Sequence, residues 1–159
     1  MLQNKPMKIL DLAQQAEHLE TLARWHQQQW QDLNPGENLQ QRIQRMQDYL
    51  SEDFIPSTFI AIGEQLYGSA AIVAADMDSH PELTPWLASV YVAPPFRRQG
   101  IGARLVRHVM QQAAKHGIEE LYLFTPDRED FYRRLGWQVL QQEQYRGHEV
   151  TIMQARLSR

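Results

Sequence analysis

The stretch that most limits how this chain can fold runs from Leu87 to Ala103, LASVYVAPPFRRQGIGA. Leu87 to Ala93 is apolar and rich in Val and Tyr, which favours a strand. Pro94 and Pro95 cannot continue a sheet ladder and end it. A basic turn follows, and Gly100 and Gly102 open a helix predicted over about Ile101 to Lys115. In that helix Leu105, Val106, Val109, Met110 and Ala113 recur at helical spacing, and Gly117 closes it. Leu121 to Thr125 then reads as a further strand. A strand–helix–strand unit in the middle of the chain requires a sheet with a helix on its face.

The flanking segments add antiparallel pairing. Ser57 to Ile62 and Leu66 to Ala75 read as a hairpin turned at Gly63-Glu64-Gln65. Trp137 to Leu140 and Val150 to Ala155 read as closing strands around Arg146-Gly147-His148. Met7 to Leu12 suits a short first strand. Ala16 to Gln31 is an amphipathic helix with Leu19, Leu22, Ala23, His26 and Trp30 on one face. Asn34-Pro35-Gly36 breaks it, and a second helix runs over about Leu39 to Leu50. Asp127 to Leu135 is a short helix stopped by Gly136. The expected fold class is α/β, a single domain over residues 1–159 in which one central mixed sheet is flanked by helices.

The composition narrows the function. With 159 residues the chain suits one domain that buries a core without staples. It has no cysteine, which excludes a disulfide framework, a thiolate metal site and a cysteine nucleophile; no metal is expected. The formal net charge of −3 gives no general attraction to nucleic acid, so none is expected as a partner. Met1 to Lys8 lacks the apolar core of a signal peptide, and no apolar run approaches a membrane span; the expectation is a cytoplasmic protein with no membrane partner.

The segment after the central strand carries the chemistry. The first turn of a helix presents backbone N–H groups without intrahelical partners, and the helix dipole adds positive potential there. Gly100 and Gly102 permit close backbone approach, and Arg97 and Arg98 add charge. Together they suit a phosphate or pyrophosphate. Two other phosphate motifs are excluded: a dinucleotide fingerprint needs Gly or Ala where Leu105 stands, and the G-K-[ST] of a Walker A loop is absent.

Arg97-x-x-Gly100-x-Gly102 resembles the acetyl-CoA motif [RQ]-x-x-G-x-[GA] of the GNAT N-acetyltransferase superfamily, and the resemblance extends from Ser57 to Leu157. It implies that the strand before the motif splays from its next neighbour and pairs with the pantetheine arm through Val90, Tyr91 and Val92. It also implies that the amides of Arg98, Gln99, Gly100, Ile101, Gly102 and Ala103 hold the pyrophosphate. A second motif, Phe131-Tyr132-Arg133-Arg134-Leu135-Gly136-Trp137, is similar to the family's F-Y-x-x-L-G-[FW]. It implies that Tyr132 lies near the CoA sulfur as general acid. Many members carry Asn where this chain has Thr125, so Thr125 becomes the corresponding cofactor contact.

The implied reaction needs a deprotonated amine, a stabilised carbonyl oxygen and a stabilised thiolate. A backbone N–H of Val90 or Val92 would serve the oxygen. A phenol of pKa about 10 gives up its proton to a thiolate of pKa about 8.5 only uphill, by roughly 2 kcal/mol, so Tyr132 would act mainly as a hydrogen-bond donor. Candidates for attracting or deprotonating the amine are Asp76, Asp78, His80 and Glu82, with Glu52 and Asp53 as alternatives. Trp86 and Ser89 join Asp76, Asp78 and Glu82 as candidate acceptor contacts. The resemblance implies acetyl-CoA as co-substrate and direct attack in a ternary complex. The expected acceptor is a small amine or amino-acid-like molecule, with a peptide or protein N-terminus or lysine as the alternative; a non-catalytic acetyl-CoA-binding sensor is the alternative to the enzymatic reading. A homodimer through the C-terminal strands is compatible with the family.

Overall fold

The computed structural model describes residues 6–158. The reading of Met1 to Lys8 as lacking a targeting core falls mostly on residues 1–5, outside the described residues. The elements in chain order are β1 (Lys8–Asp11), α1 (Leu19–Trp30), α2 (Leu39–Asp48), β2 (Ser57–Ile62), β3 (Leu66–Val73), β4 (Trp86–Val92), α3 (Ile101–Lys115), β5 (Glu120–Thr125), α4 (Glu129–Arg133), β6 (Gln138–Tyr145) and β7 (His148–Arg156). The strands form one sheet in the order β1-β2-β3-β4-β5-β7-β6. Every neighbouring pair is antiparallel except β4 and β5, which are joined by the α3 crossover and run parallel.

Alternation along the strands divides the core between the two faces. Phe59, Ala61, Ala70, Ile72, Leu87, Leu121 and Leu123 pack with Leu105, Val106 and Val109 of α3. Ile60, on the other side of β2, packs with Leu19, Leu22 and Ala23 of α1 and Met46 of α2. Farther along that second face, Ala71, Val73, Trp86, Ala88, Tyr145 and Ile152 form a separate cluster. Leu105, Val106 and Val109 have no exposed surface, so each contributes about 1.5–3 kcal/mol to docking α3.

Local chemistry sets the helix ends. At α2 the Oδ1 of Asn38 accepts the Gln41 N–H at 2.8 Å, and Gln41 Oε1 accepts the Asn38 N–H at 2.9 Å. Gly100 starts α3 in the left-handed region, with φ +82°. Gly68 lets β3 and β4 approach: a Cβ there would lie 2.3 Å from the Tyr91 carbonyl oxygen. No helix of the described residues is long and apolar enough to cross a membrane.

Candidate active site

The parallel pair β4 and β5 is hydrogen-bonded in register at a single position, Trp86 opposite Tyr122, supported by the Tyr122 N–H donating to Pro85 O at 3.1 Å. Beyond it, toward their C-terminal ends, the two strands are not paired. The result is a wedge in the middle of the sheet, bordered on one side by β4 backbone and continuing to the start of α3.

Within the wedge wall β4 carries a bulge. Ala71 faces Ala88 and Ser69 faces Tyr91, so Ala70 alone spans the distance that Ser89 and Val90 span on β4. Ser89 adopts φ +53°, a left-handed state that costs a non-glycine residue about 1–3 kcal/mol and is usually held by its surroundings. The bulge takes Ser89 and Val90 out of the β3 ladder, beside the open wedge.

At the mouth of the wedge, Pro94–Phe96 forms one 3-10 turn, Arg98 sits at φ +66°, and Gly100 caps α3. No side chain caps the start of α3, and its first turn contains no acidic residue. The first helical bond there runs from the Arg104 N–H to Gly100 O. The amides of Ile101, Gly102 and Ala103 therefore precede that ladder, next to exposed Arg98, Gln99 and Gly100, in an arrangement that fits a pyrophosphate. Arg97 is anchored on the strand: its Nε donates to Val92 O at 2.7 Å, and its guanidinium lies 5.4 Å from the Tyr91 ring centre, so it fastens the loop to β4. That contact also occupies the Val92 carbonyl.

Tyr132 lies on the face of α4 turned into the α3-side core and is 8% exposed. Its ring packs against Phe131 at 5.0 Å and Trp137 at 6.1 Å. Burial, with Asp127 adding, pushes its phenol above the usual range against the opposing pull of Arg128, so it stays protonated. Phe131 ties α4 to the wedge: a Cβ on Gly102 would lie 3.5 Å from the Phe131 ring and 3.6 Å from Val92 Cγ2. Thr125 is 5% exposed, and its Oγ1 accepts the Arg128 N–H at 3.0 Å, starting the turn into α4.

The acceptor candidates do not gather as a group. Trp86 has no exposed surface, and its indole N–H donates to Leu83 O at 2.6 Å. It is a core residue beside Tyr122 and Phe124 and lines no cleft. Glu82 is exposed and holds His80 Nδ1 at 3.1 Å; His80 Nε2 lies 2.6 Å from Glu143, and these hydrogen bonds raise the imidazole pKa. Asp78 is exposed and pairs with Arg146 at 3.4 Å. Asp76 differs: burial pushes its carboxyl up to about 6, although Arg45, Arg146 and Arg42 pull the other way. Those guanidiniums pair elsewhere, Arg42 and Arg45 with Glu37 and Arg146 with Asp78. Arg146 also donates to Leu33 O and Asn34 Oδ1, at the edge of an open recess of about 680 Å³ lined by Leu33, Asn34, Glu37 and Gln41. Among the described residues no cluster of three His, Asp or Glu side chains has metal-binding geometry.

Two features were invisible in the sequence. The imidazole of His26, one more residue of α1's packing face by its spacing, lies on Ser69 at 2.8 Å, and Ser69 in turn reaches the bulge at Ser89. The Trp137 indole N–H is buried without a partner among the described residues. Neither has a local signal, because both depend on which strand faces which helix.

No curated protein matches this sequence. Among solved structures the chain is similar to a GNAT-family acetyltransferase from Staphylococcus aureus Mu50, with TM-score 0.72 and 15% identity over 96% of this chain and 100% of that one. An aminoglycoside 6'-acetyltransferase type Ii aligns with TM-score 0.73 and 16% identity over 97% of this chain and 98% of that one. N-acetylglutamate synthase from Neisseria gonorrhoeae, solved with coenzyme A and N-acetyl-glutamate, aligns with TM-score 0.68 and 21% identity over 99% of this chain but 36% of that one. The overall fold is thus shared with known structures. The model of the acetyltransferase (GNAT) family matches residues 19–137, and the chain belongs to that family.

Proposed function

We propose that the protein transfers the acetyl group of acetyl-CoA to a primary amine by direct attack in a ternary complex. The observation that carries this reading is the wedge: an unpaired strand edge leads from the uncapped amides of α3 to a bulge, with α4 against its mouth. The amides of residues 98–103 hold the diphosphate, and the edge of β4 at Val90, Tyr91 and Val92 pairs with the pantetheine arm. The Val90 N–H stabilises the carbonyl oxygen as negative charge builds on it.

In the transfer, the amine nitrogen forms a bond to the acyl carbon and the carbon–sulfur bond breaks. The amine proton leaves through a carboxylate or water, and the thiolate takes a proton or a hydrogen bond from Tyr132. Tyr132, kept protonated by burial, suits a donor. Asp76 suits the amine side: a desolvated carboxyl with pKa about 6 is ionised at neutral pH and accepts a proton more readily than a surface aspartate does. With no cysteine in the chain, no thiol is available as an acyl carrier.

The acceptor we infer is a small amine or amino-acid-like molecule. Two fold neighbours with small-molecule names, the aminoglycoside acetyltransferase and N-acetylglutamate synthase, support it. Steady-state release of CoA thiol with a panel of polyamines, amino acids, aminoglycosides and peptides tests the proposal. Turnover with a small amine is the expected result, and turnover with peptides alone moves the acceptor class. Acetyl-CoA binding without any amine-dependent thiol release makes the protein a sensor and overturns the enzymatic reading.

A further inference from the structure

Ser69 on β3 has no exposed surface, and its Oγ donates to the Ser89 carbonyl at 3.1 Å. The same Oγ lies 2.8 Å from Nε2 of His26, which is 1% exposed on α1. A serine hydroxyl has one proton. With that proton on Ser89, the short contact to His26 requires the imidazole to donate from Nε2, which fixes its neutral tautomer. Burial, with the charges of Arg42 and then Arg45 adding, drives the His26 pKa down to about 3, so the chain of donors keeps one direction at any working pH. The imidazole is itself held between Trp30, at 5.2 Å, and Tyr91, at 6.0 Å.

The peptide joining Ser89 to Val90 is planar and trans, so its C=O and N–H point in opposite directions. Fixing the Ser89 oxygen toward Ser69 therefore fixes the Val90 N–H away from Ser69 and β3, on the side of β4 that borders the wedge. Ser89 needs such a restraint, because its φ of +53° is a state that serine leaves when nothing holds it.

We propose that His26 and Ser69 are positioning residues: their hydrogen-bond chain locks the Ser89–Val90 peptide so that the Val90 N–H meets the acyl carbonyl oxygen in the wedge. This rests on the acetyl-transfer reading above. Neither residue touches the reacting atoms; both act through the bulge.

The test is the carbonyl stretch of acetyl-CoA labelled with carbon-13 at the acetyl carbonyl, measured by isotope-edited infrared spectroscopy on the full chain, with kcat and the acetyl-CoA Kd from the same preparations. Wild type is expected to lower the stretch relative to free acetyl-CoA. Ser69→Ala is expected to return it toward the free value and to reduce kcat about 10- to 100-fold, with Kd within about threefold. Ser69→Thr keeps the hydroxyl and restores the shift. His26→Gln keeps an N–H donor and retains more of the shift than His26→Phe, and this pair carries the test if Ser69→Ala does not fold. An unchanged stretch and kcat in Ser69→Ala overturns the proposal alone. Failure of wild type to bind acetyl-CoA removes the acetyl-transfer reading, and the proposal with it. Binding without any shift in wild type overturns the carbonyl contact and this proposal, while leaving cofactor binding intact.

Discussion

Replacing Gly68 by alanine asks how closely β3 and β4 are pressed together beside the bulge. The new Cβ would lie 2.3 Å from the Tyr91 oxygen, 3.1 Å from Val92 Cα and 3.3 Å from the Tyr91 carbonyl carbon. The first contact is roughly 0.7 Å inside the 3.0 Å that real Cβ contacts respect. All three neighbours are backbone atoms, so no rotamer change relieves the overlap. Overpacking of this kind costs about 1–3 kcal/mol, and a rigid neighbour puts Gly68 at the upper end. Alanine recovers about 0.5–1 kcal/mol by restricting the unfolded chain. The net loss is about 2 kcal/mol, or a fall in Tm of about 4–8 °C for a domain of this size. Urea unfolding of Gly68→Ala should show a lower midpoint with an unchanged m-value. Gly36→Ala is the control, since nothing lies within 4 Å of its Cβ, and it should match wild type or gain slightly. Because Gly68 pairs with Val92 and Ser69 with Tyr91, the forced separation also moves the bulge, and kcat should fall in the protein that remains folded. A Gly68→Ala variant as stable as wild type refutes the close approach.

Tyr132→Phe should lower kcat by about 10- to 100-fold while leaving the acetyl-CoA Kd within about twofold; a loss of affinity instead of rate removes the donor role. Because burial raises the Tyr132 phenol, no falling limb from this group should appear in kcat below pH 10. The Asp76 carboxyl goes from its ordinary 3.8 to about 6 in the folded state, so the native protein binds its proton more tightly than the unfolded chain does. Stability from this group should therefore fall as pH rises from about 4 to 6 and stay level above. Asp76→Asn should abolish that fall in urea midpoints and, if Asp76 serves the amine, remove a rising limb in kcat/KM near pH 6; His80→Asn controls for the neighbouring imidazole. Gly100→Ala, at φ +82° with open space around its Cβ, should cost about 1–2 kcal/mol for conformation alone and weaken acetyl-CoA several-fold by calorimetry, with Gly100→Asn losing less.

What was legible in the sequence was local. The helix predicted over Ile101 to Lys115 and the strand over Ser57 to Ile62 have those limits in the structure, because apolar spacing and flanking glycines act within one element. The turn at Arg146-Gly147 was readable for the same reason. The strand expected over Trp137 to Leu140 instead runs from Gln138 to Tyr145. Its Gln-Gln-Glu-Gln stretch has no apolar alternation, and pairing with β7 alone makes it a strand. The loop before α3 is legible because its glycines and arginines are contiguous. The bulge at Ser89 is not, since it exists only in the register of β4 against β3. Trp86 misleads for a related reason: position along the chain puts it near the site, but only the faces of the packed sheet show that it fills the core.

The lone β4–β5 rung makes the sheet two plates stitched at one end. Amides along the free border of β4 sit at the centre of the molecule yet should exchange with deuterium as fast as those of a surface loop. Any peptide-like chain that slides into the gap becomes a temporary eighth strand, and its arrival should be read as slowed exchange on both plates at once.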